Sequence, residues 1–248
     1  MNPVAKKLLN ACEQLLCQAG SIDELTARSV ANAAGTTASA VSYYFGSQEQ
    51  LIIATATRVY KRLNAERMLL LNEAIQKAAP APPHIDDLVA ALIGPSVRWS
   101  LDPSSRYAVL AHFTTMAHRS SKPELYRQIL EGIEHHRMFI PHFRAVAPWL
   151  NDAEIGWRMS CALGIRSQVT RNRTRNEVLT GHSIDFSNSD EVIGHIVAVV
   201  APMVHAPQRC ISPQASNAVR EPSSNHYARP ISPWPFAEPK NGTQTWHR

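Results

Sequence analysis

The chain has 248 residues, of which 44% are hydrophobic and only 10 are glycine. This is long enough for one large or two smaller domains and apolar enough for a sizeable core, so a globular protein is expected. The net charge is +5, but residues 1–50 carry three basic and four acidic side chains, whereas residues 208–248 carry five basic and two acidic ones. This distribution excludes an argument for nucleic-acid binding from bulk charge alone.

The four cysteines, at positions 12, 17, 161 and 210, form no Cys-x-x-Cys pair and are too sparse for a disulfide scaffold. We therefore expect a protein of the reducing cytoplasm. Polar residues interrupt the apolar N-terminal stretch, which predicts an amphipathic helix rather than a signal peptide. The longest apolar run, residues 192–204, is too short to span a membrane, so no membrane association is expected.

Apolar residues that recur every three or four positions predict an all-α protein. The first helix is predicted to end at Gly20, with Lys6, Lys7 and Glu13 pointing away from the core. Its apolar face follows helical spacing and consists of Val4, Leu8, Ala11, Cys12, Leu15 and Ala19.

Two short helices should follow the first. Thr26 can cap a helix with the apolar stripe Val30, Ala31 and Ala34, and Gly35 ends it. Thr37 can cap a third helix, which Gly46 terminates. Three short helices with a glycine turn between the second and third predict a helix-turn-helix unit.

A larger helical bundle is predicted after this unit. Ser47 and Gln50 have the spacing of a capping box at its start. Breaks are expected near Pro141 and Pro148 and in the polar stretch 173–188. The predicted helical segments are 48–78, 84–100, 104–119, 123–139, 152–172 and 189–204.

The sequence thus divides into a helix-turn-helix domain at 1–47, a helical domain at 48–206 and a Pro/Ser-rich tail at 207–248 that is predicted to be disordered. The segments 152–172 and 189–204 carry more apolar surface than one face needs. They could pair with their symmetry mates in a four-helix homodimer interface. Burial in the core of the monomer is the alternative.

Adjacent aromatic residues on the third helix favour an external surface. Tyr43 and Tyr44 project about 100° apart, so one of them must be largely outside. A helix N-terminus also carries free N–H groups and a partial positive charge that suit a phosphate.

The N-terminal pattern resembles that of TetR-family transcriptional regulators. The resemblance is carried by Thr26-Ala27-Arg28, Val30-Ala31, Ala34-Gly35, Thr37, Val41 and the run from Ser42 to Leu51, SYYFGSQEQL. It implies a homodimer whose third helices enter the major groove of a partly palindromic double-stranded DNA operator, and a small-molecule effector bound in the bundle.

Carried over position by position, the resemblance implies DNA-binding residues on the second and third helices. Thr26 and Thr37 would bind phosphates, and Arg28 would reach a phosphate or a guanine edge. Ala38, Ser39, Ala40 and Ser42 would face the bases, with Tyr43 and Tyr44 near the backbone or the thymine methyls. The chain departs from the family pattern at Thr36, which weakens packing of the turn, and at Gln48, which replaces a lysine that contacts phosphate.

Candidate residues in the bundle are less specific. Aromatic and apolar residues there should be mostly core, and some are predicted to line the effector pocket: Trp99, Phe113, Met116, Tyr126, Phe139 and Trp157. Arg166, Arg171, Arg173 and Arg175 could form a second nucleic-acid patch, but a solvated group at a helix end is the preferred interpretation.

No enzyme, metal site or cofactor is expected. Glu131 and His135 share a helical face and could bridge a metal, but no third ligand is fixed nearby, so surface Glu/His pairing is preferred. Glycine-rich phosphate loops and nucleophile elbows are absent from the sequence. The predicted function is a ligand-responsive repressor; the alternative is a helical protein-interaction module that has lost operator binding.

Overall fold

A computed structural model describes residues 1–119 and 134–207 of the chain. These residues are helical with short turns and contain no β-strand, which confirms the all-α prediction. The helices are α1 (Pro3–Gln18), α2 (Ala27–Ala33), α3 (Ala38–Phe45), α4 (Gln48–Ala78), α5 (Ile85–Leu101), α6 (Tyr107–Arg119), α7 (Glu134–Arg137), α8 (Ile140–Val146), α9 (Asp152–Arg171), α10 (Arg173–Leu179) and α11 (Ser189–His205), with a 3₁₀ turn at Ile22–Glu24.

The helix-turn-helix geometry follows from its caps and glycines. Thr26 accepts a hydrogen bond from the Ser29 N–H, and the Ser29 hydroxyl accepts one from the Thr26 N–H, so a capping box starts α2. Gly35 (φ 64°) and Gly46 (φ 78°) end α2 and α3 in the left-handed region that favours glycine. The Thr36 N–H bonds to the Ala31 carbonyl, so the turn between α2 and α3 is closed by its backbone.

Helix α4 joins the N-terminal helices to the bundle without a break. The Ser47 hydroxyl accepts from the Gln50 N–H at 3.1 Å, as the sequence predicts, and the helix continues for 31 residues. At 1.5 Å per residue its length is about 46 Å. Helix α4 is continuous, and its two halves pack into different cores.

Two hydrophobic cores lie along α4. The N-terminal core contains residues of α1–α3, the α4 segment 51–63, and Val109, Leu110 and Phe113 of α6. The bundle core is built from Leu71 of α4 with buried residues of α5, α8, α9 and α11. The N-terminal core therefore extends beyond residue 47, and the division of the chain at that residue stays a prediction.

The break expected near Pro141 is present at residues 138–139, between α7 and α8, and Pro141 lies in the first turn of α8, where proline is tolerated. The break expected over the whole of 173–188 is wrong in part. The stretch 173–188 contains a short helix, α10, in which Arg173 pairs with Glu177 one turn later. Most of the predicted segment 123–139 and the tail from residue 208 lie outside the described residues.

Within residues 1–119 and 134–207, no helix has the length and apolar character that a membrane span requires.

Candidate nucleic-acid interface

One face of α3 is open to solvent while the opposite face anchors the helix. Val41 is fully buried in the N-terminal core. Tyr43 is 81% exposed, and Thr37, Ala38, Ser39 and Ser42 are exposed as well. No other described part of the chain covers these side chains. The helix therefore presents small polar groups and one phenol outward.

The two adjacent tyrosines divide between core and solvent. Tyr44 is half-buried and packs against the N-terminal core, as does Phe45. The Tyr43 ring stands edge-on to the Tyr44 ring with centroids 4.9 Å apart, so the half-buried ring supports the exposed one. This agrees with the geometric argument that one tyrosine must lie outside.

The beginning of α3 keeps its backbone donors available. Thr37 is the N-cap residue, but no side-chain cap bond is found among the described residues. Its hydroxyl instead pairs with the Ser39 hydroxyl at 2.9 Å. The first-turn N–H groups, together with the positive end of the helix dipole, suit an anion.

The remaining predicted DNA-binding residues flank this face. Thr26 and Arg28 are exposed on the first turn of α2, and the Thr26 oxygen already accepts the cap bond from Ser29. Ala40 is half-buried against the N-terminal core and is the least accessible of the α3 set together with Tyr44.

Gln48 has a role that the sequence did not indicate. Its Oε1 accepts from the Ala27 N–H at 2.9 Å, and its Nε2 donates to the Leu25 carbonyl at 2.6 Å. The first residue of α4 is thereby bonded to the backbone at the start of α2. No local pattern announces such a pair, because the partners lie more than 20 residues away.

Glu13 was predicted to point away from the core, and this is wrong: it is only 7% exposed. Two arginines of α4 and one that directly precedes α6 reach it, with N···O distances of 2.6 Å for Arg58, 2.6 Å for Arg62 and 3.1 Å for Arg106. Burial alone would raise the pKa of Glu13, but the hydrogen bonds and charges of Arg62 and Arg58 outweigh it and hold that pKa below its usual value.

The predicted effector-pocket residues do not gather at one place. Phe113 and Met116 pack in or against the N-terminal core, as does Trp99, whose indole N–H donates to Glu66. Phe139 is fully buried in the bundle core. Trp157 was expected in the core but is 67% exposed on α9. Tyr126 lies outside the described residues.

A buried basic cluster in the bundle was also missed. We call Arg67 (α4), His136 (α7) and Arg166 (α9) the central basic cluster. Arg67 is 2% and His136 6% exposed, and Arg166 is half-buried rather than solvated as its arginine run suggested. A signal existed for Arg67, since it lies four residues from both Leu63 and Leu71 on the buried face of α4.

Burial shapes the titration of this cluster. The pKa of Arg67 is lowered to about 10, chiefly by burial. The charge of Arg166 contributes to this decrease, and Tyr60 opposes it. Burial and the charges of Arg67 and Arg166 also lower the pKa of His136 to about 3. At neutral pH the histidine is therefore uncharged and feels the charges of both guanidinium groups.

The surface pairing of Glu131 with His135 stays a prediction, because His135 is exposed but Glu131 lies outside the described residues. The neighbouring His136 is buried. In the part of the chain that the structure describes, no group of three or more His, Cys, Asp or Glu side chains could hold a metal ion.

The middle parts of the outer faces of α9 and α11 carry no Asp, Glu, Lys or Arg at their exposed positions, although the exposed Arg171 and Asp190 lie one turn beyond. The exposed middle positions are Trp157, Ser160, Gly164 and Gln168 on α9, and Gly194, His195, Ala198 and Val199 on α11. Between these helices and α10 runs an apolar groove of about 260 Å³ lined by residues such as Val169, Leu179 and Ile196. Arg158 ties α9 to α11 by donating to carbonyls at the end of α11.

Two family models match the chain. "Bacterial regulatory proteins, tetR family" matches residues 8–55, and "Tetracyclin repressor-like, C-terminal domain" matches residues 90–203. The chain belongs to the TetR family. The first match covers most of α1, α2, α3 and the start of α4, and the second covers most of the bundle. The matches therefore support both the helix-turn-helix unit and the helical C-terminal domain that the resemblance implied.

Relatives of this TetR-family chain are distant. It is 28% identical over 128 residues to the HTH-type transcriptional regulator BetI of Brucella melitensis, covering 51% of this chain and 59% of that protein. The chain thus spans less than two thirds of the length of the curated relatives it matches.

Two solved structures share the TetR-like fold. The fatty acid degradation regulator FadR of Bacillus halodurans superposes with a TM-score of 0.55 at 16% identity, covering 81% of this chain and 96% of that one. The superantigen PfiT superposes with a TM-score of 0.54 at 15% identity, covering 80% and 96%. These likenesses show the fold alone, since one fold can carry different functions.

Proposed function

We propose that this protein is a ligand-responsive transcriptional repressor that binds a partly palindromic DNA operator as a homodimer in the bacterial cytoplasm. The observation that carries the proposal is the uncovered face of α3, anchored from behind by Val41 and presenting Tyr43 to solvent. Regulators of the TetR family bind DNA and small-molecule effectors and act as dimers, and this face has the geometry of a recognition helix.

The roles proposed for the interface separate positioning from base reading. Thr26, Thr37 and Arg28 would hold phosphates at the starts of α2 and α3. Ala38, Ser39, Ala40 and Ser42 would face the bases, and Tyr43 and Tyr44 would lie against the backbone or the thymine methyls. The exposure of Tyr43 and Ser42 makes them the best positions for a test.

The modest charge of this interface predicts its salt dependence. Residues 1–50 net −1, and Gln48 replaces a cationic phosphate contact. Only a few phosphates would be neutralised, so specific affinity should be modest and should require low salt.

Effector binding is proposed to act through α4. This helix begins beside α3 and contributes Leu71 to the bundle core. In one form of the homodimer, the separation of its two α3 helices does not match the operator. An effector that binds better to that form would release DNA.

The homodimer is proposed to form through α9 and α11. The middle parts of their outer faces, which carry no exposed Asp, Glu, Lys or Arg, and the adjoining apolar groove support pairing with a symmetry mate. The domain at 1–47 would then read DNA, residues 48–206 would bind the effector and the partner, and residues 207–248 would be a dispensable tail.

Selection from a random duplex library with the full chain at about 50 mM salt identifies the operator, and a gel shift then measures its affinity. Ser42→Ala and Tyr43→Ala should each weaken specific binding about tenfold, since a good base contact discriminates by roughly 1–3 kcal/mol. Gln18→Ala, an exposed position at the end of α1, is the control. Unchanged operator affinity in both α3 variants, with helical circular dichroism intact, would overturn the assigned interface.

A further inference from the structure

The central basic cluster gathers positive charge where four long helices of the bundle pass close together. Arg67 comes from α4 and Arg166 from α9. The Arg67 Nε donates to the Leu92 carbonyl of α5 at 3.0 Å, and Arg166 Nη1 donates to the Tyr107 hydroxyl of α6 at 3.1 Å. The cluster therefore lies within the bundle, with Arg67 and His136 buried and Arg166 half-buried.

In the part of the chain that the structure describes, the hydrogen-bond partners of these two arginines are neutral groups. Arg67 Nη1 donates to Asn64 Oδ1 at 2.5 Å, and its guanidinium carbon lies 5.9 Å from the centroid of the Tyr60 ring. Among residues 1–119 and 134–207, neither Arg67 nor Arg166 forms an ion pair with a carboxylate. This differs from Glu13, where three arginines share one carboxylate.

Polar atoms in the cluster remain unsatisfied. Within residues 1–119 and 134–207, both ring nitrogens of His136 and the Nε of Arg166 are buried and have no hydrogen-bond partner. Removing a cation from water costs several kcal/mol unless an opposite charge repays it. Buried polar groups in folded proteins are nearly always paired, so unpaired ones call for an unseen ligand, ion or water.

We propose that the central basic cluster binds the anionic group of a small organic acid, and that this acid is the effector of the repressor. The guanidinium fork matches the two oxygens of a carboxylate or a phosphate monoester. Neutral His136 can donate one further hydrogen bond to an anion. The identity of this acid as the effector rests on the function proposed above, whereas the binding of an anion does not.

The position of Arg67 connects such an acid to DNA release. Arg67 lies 19 residues along α4 from Gln48, which is bonded to the start of α2. An anion that draws Arg67 and Arg166 together would favour one position of α4 over another, which is the differential binding that a population shift needs.

Thermal unfolding of the full chain tests binding without DNA. The probes are sodium acetate, octanoate, benzoate, phenyl phosphate and inorganic phosphate, at an ionic strength held constant with sodium chloride. Octanamide and benzamide are the matched neutral compounds. At least one organic acid should raise the melting temperature saturably by several degrees, and its amide should not. Shifts with phenyl phosphate but not with the carboxylates, or the reverse, identify the anionic group.

Arginine variants locate the bound anion. For the acid that binds most tightly, Arg166→Gln should weaken binding at least tenfold by calorimetry, and Arg166→Lys should recover part of the loss. Arg171→Gln makes the same change of charge at an exposed position of α9 and should bind like the parent chain. Arg67→Met is a second variant, and it should also bind this acid more weakly than the parent chain does.

The contrary results are equally clear. Three results would each overturn the inference. The first is that no acid shifts the melting temperature more than chloride does, and the second is that the amides shift it as much as the acids. The third is equal affinity of Arg166→Gln and Arg171→Gln for the acid. Anion binding in a chain without operator affinity would refute the repressor function and leave the anion site intact. Operator binding that no acid changes would leave the DNA-binding function intact and refute the acid as the effector.

Discussion

Single side chains link the reading helices to the rest of the molecule, and Gln48 is the clearest case. The family pattern has a lysine at this position, whose charge would contact a DNA phosphate. The amide instead supplies one donor and one acceptor to the backbone at Leu25 and Ala27. Gln48 therefore acts within the protein, by fixing the start of α4 against the start of α2.

Gln48→Ala should lower the free energy of unfolding by about 1–2 kcal/mol, because two partly buried hydrogen bonds are lost and the Ala27 N–H loses its acceptor. Urea denaturation measures this change, and operator affinity should fall in parallel as the reading helices lose their support. Gln18→Ala removes an exposed amide of the same type. Equal stabilities of the two variants would show that the Gln48 bonds contribute nothing.

His136 should make stability depend on pH. Its pKa is about 3 in the folded state, against 6.5 for the ordinary group. Between these values the unfolded chain binds a proton that the folded chain does not, so stability falls as pH decreases from 6.5 towards 3. From pH 7 to pH 5 the loss should be about 2 kcal/mol greater in the parent chain than in His136→Gln. Parallel stability curves from urea denaturation at these pH values would contradict the assignment.

At the scale of helices, the N-terminal unit is held to the bundle by polar as well as apolar contacts. Glu13 of α1 pairs with Arg58 and Arg62 of α4 and with Arg106, which directly precedes α6. The carboxylate is buried, while the arginine side chains are 27%, 48% and 47% exposed. Solvent therefore screens part of each attraction, and the set is worth less than a fully buried network.

Glu13→Gln should reduce the free energy of unfolding by about 1–2 kcal/mol, because three guanidinium groups then converge without a counter-charge. The lowered pKa of Glu13 means that this contribution is present above pH 4.5 and is lost as pH falls through its folded-state value. Thermal or urea denaturation at pH 7 measures the difference. Glu177→Gln, in the Arg173 pair on the short helix α10, should change stability by less than about 0.5 kcal/mol.

For the whole molecule, the association of two chains determines whether two reading helices can meet one duplex. The proposed interface uses the outer faces of α9 and α11, where Trp157 is 67% and Val199 62% exposed in the single chain. A two-fold axis would place each of these residues in the interface twice, so one substitution has a doubled effect.

Val199→Glu should convert the dimer to a monomer at micromolar concentration, raising the dissociation constant at least about 100-fold, because two carboxylates would be buried near the axis. Light scattering coupled to size-exclusion chromatography measures the mass. Leu69→Glu alters a residue of similar exposure, 58%, on α4 and should leave the dimer unchanged. A dimer that survives Val199→Glu and dissociates with Leu69→Glu would place the interface on α4.

The sequence by itself determined the helical class, the capped starts of α2 and α4, the glycine stops at residues 35 and 46 and the exposure of one of two adjacent tyrosines. Each of these follows from neighbours within a few residues: a hydroxyl and the N–H three positions on, or the 100° between successive side chains. The same locality makes the reading helix recognisable as part of a family pattern.

Only the tertiary structure decided where buried charge lies and which aromatic residues share a core. In sequence Glu13 resembles a solvent-facing residue, but α4 and the residue before α6 bring three arginines to it. Arg166 resembles part of a solvated run, but it bonds to Tyr107. Trp157, with the pattern of a core residue, is left outside on α9. The reason is physical: a charge or an aromatic ring is stabilised by partners distant in sequence, and the periodicity of one helix says which face a residue is on but not what that face meets.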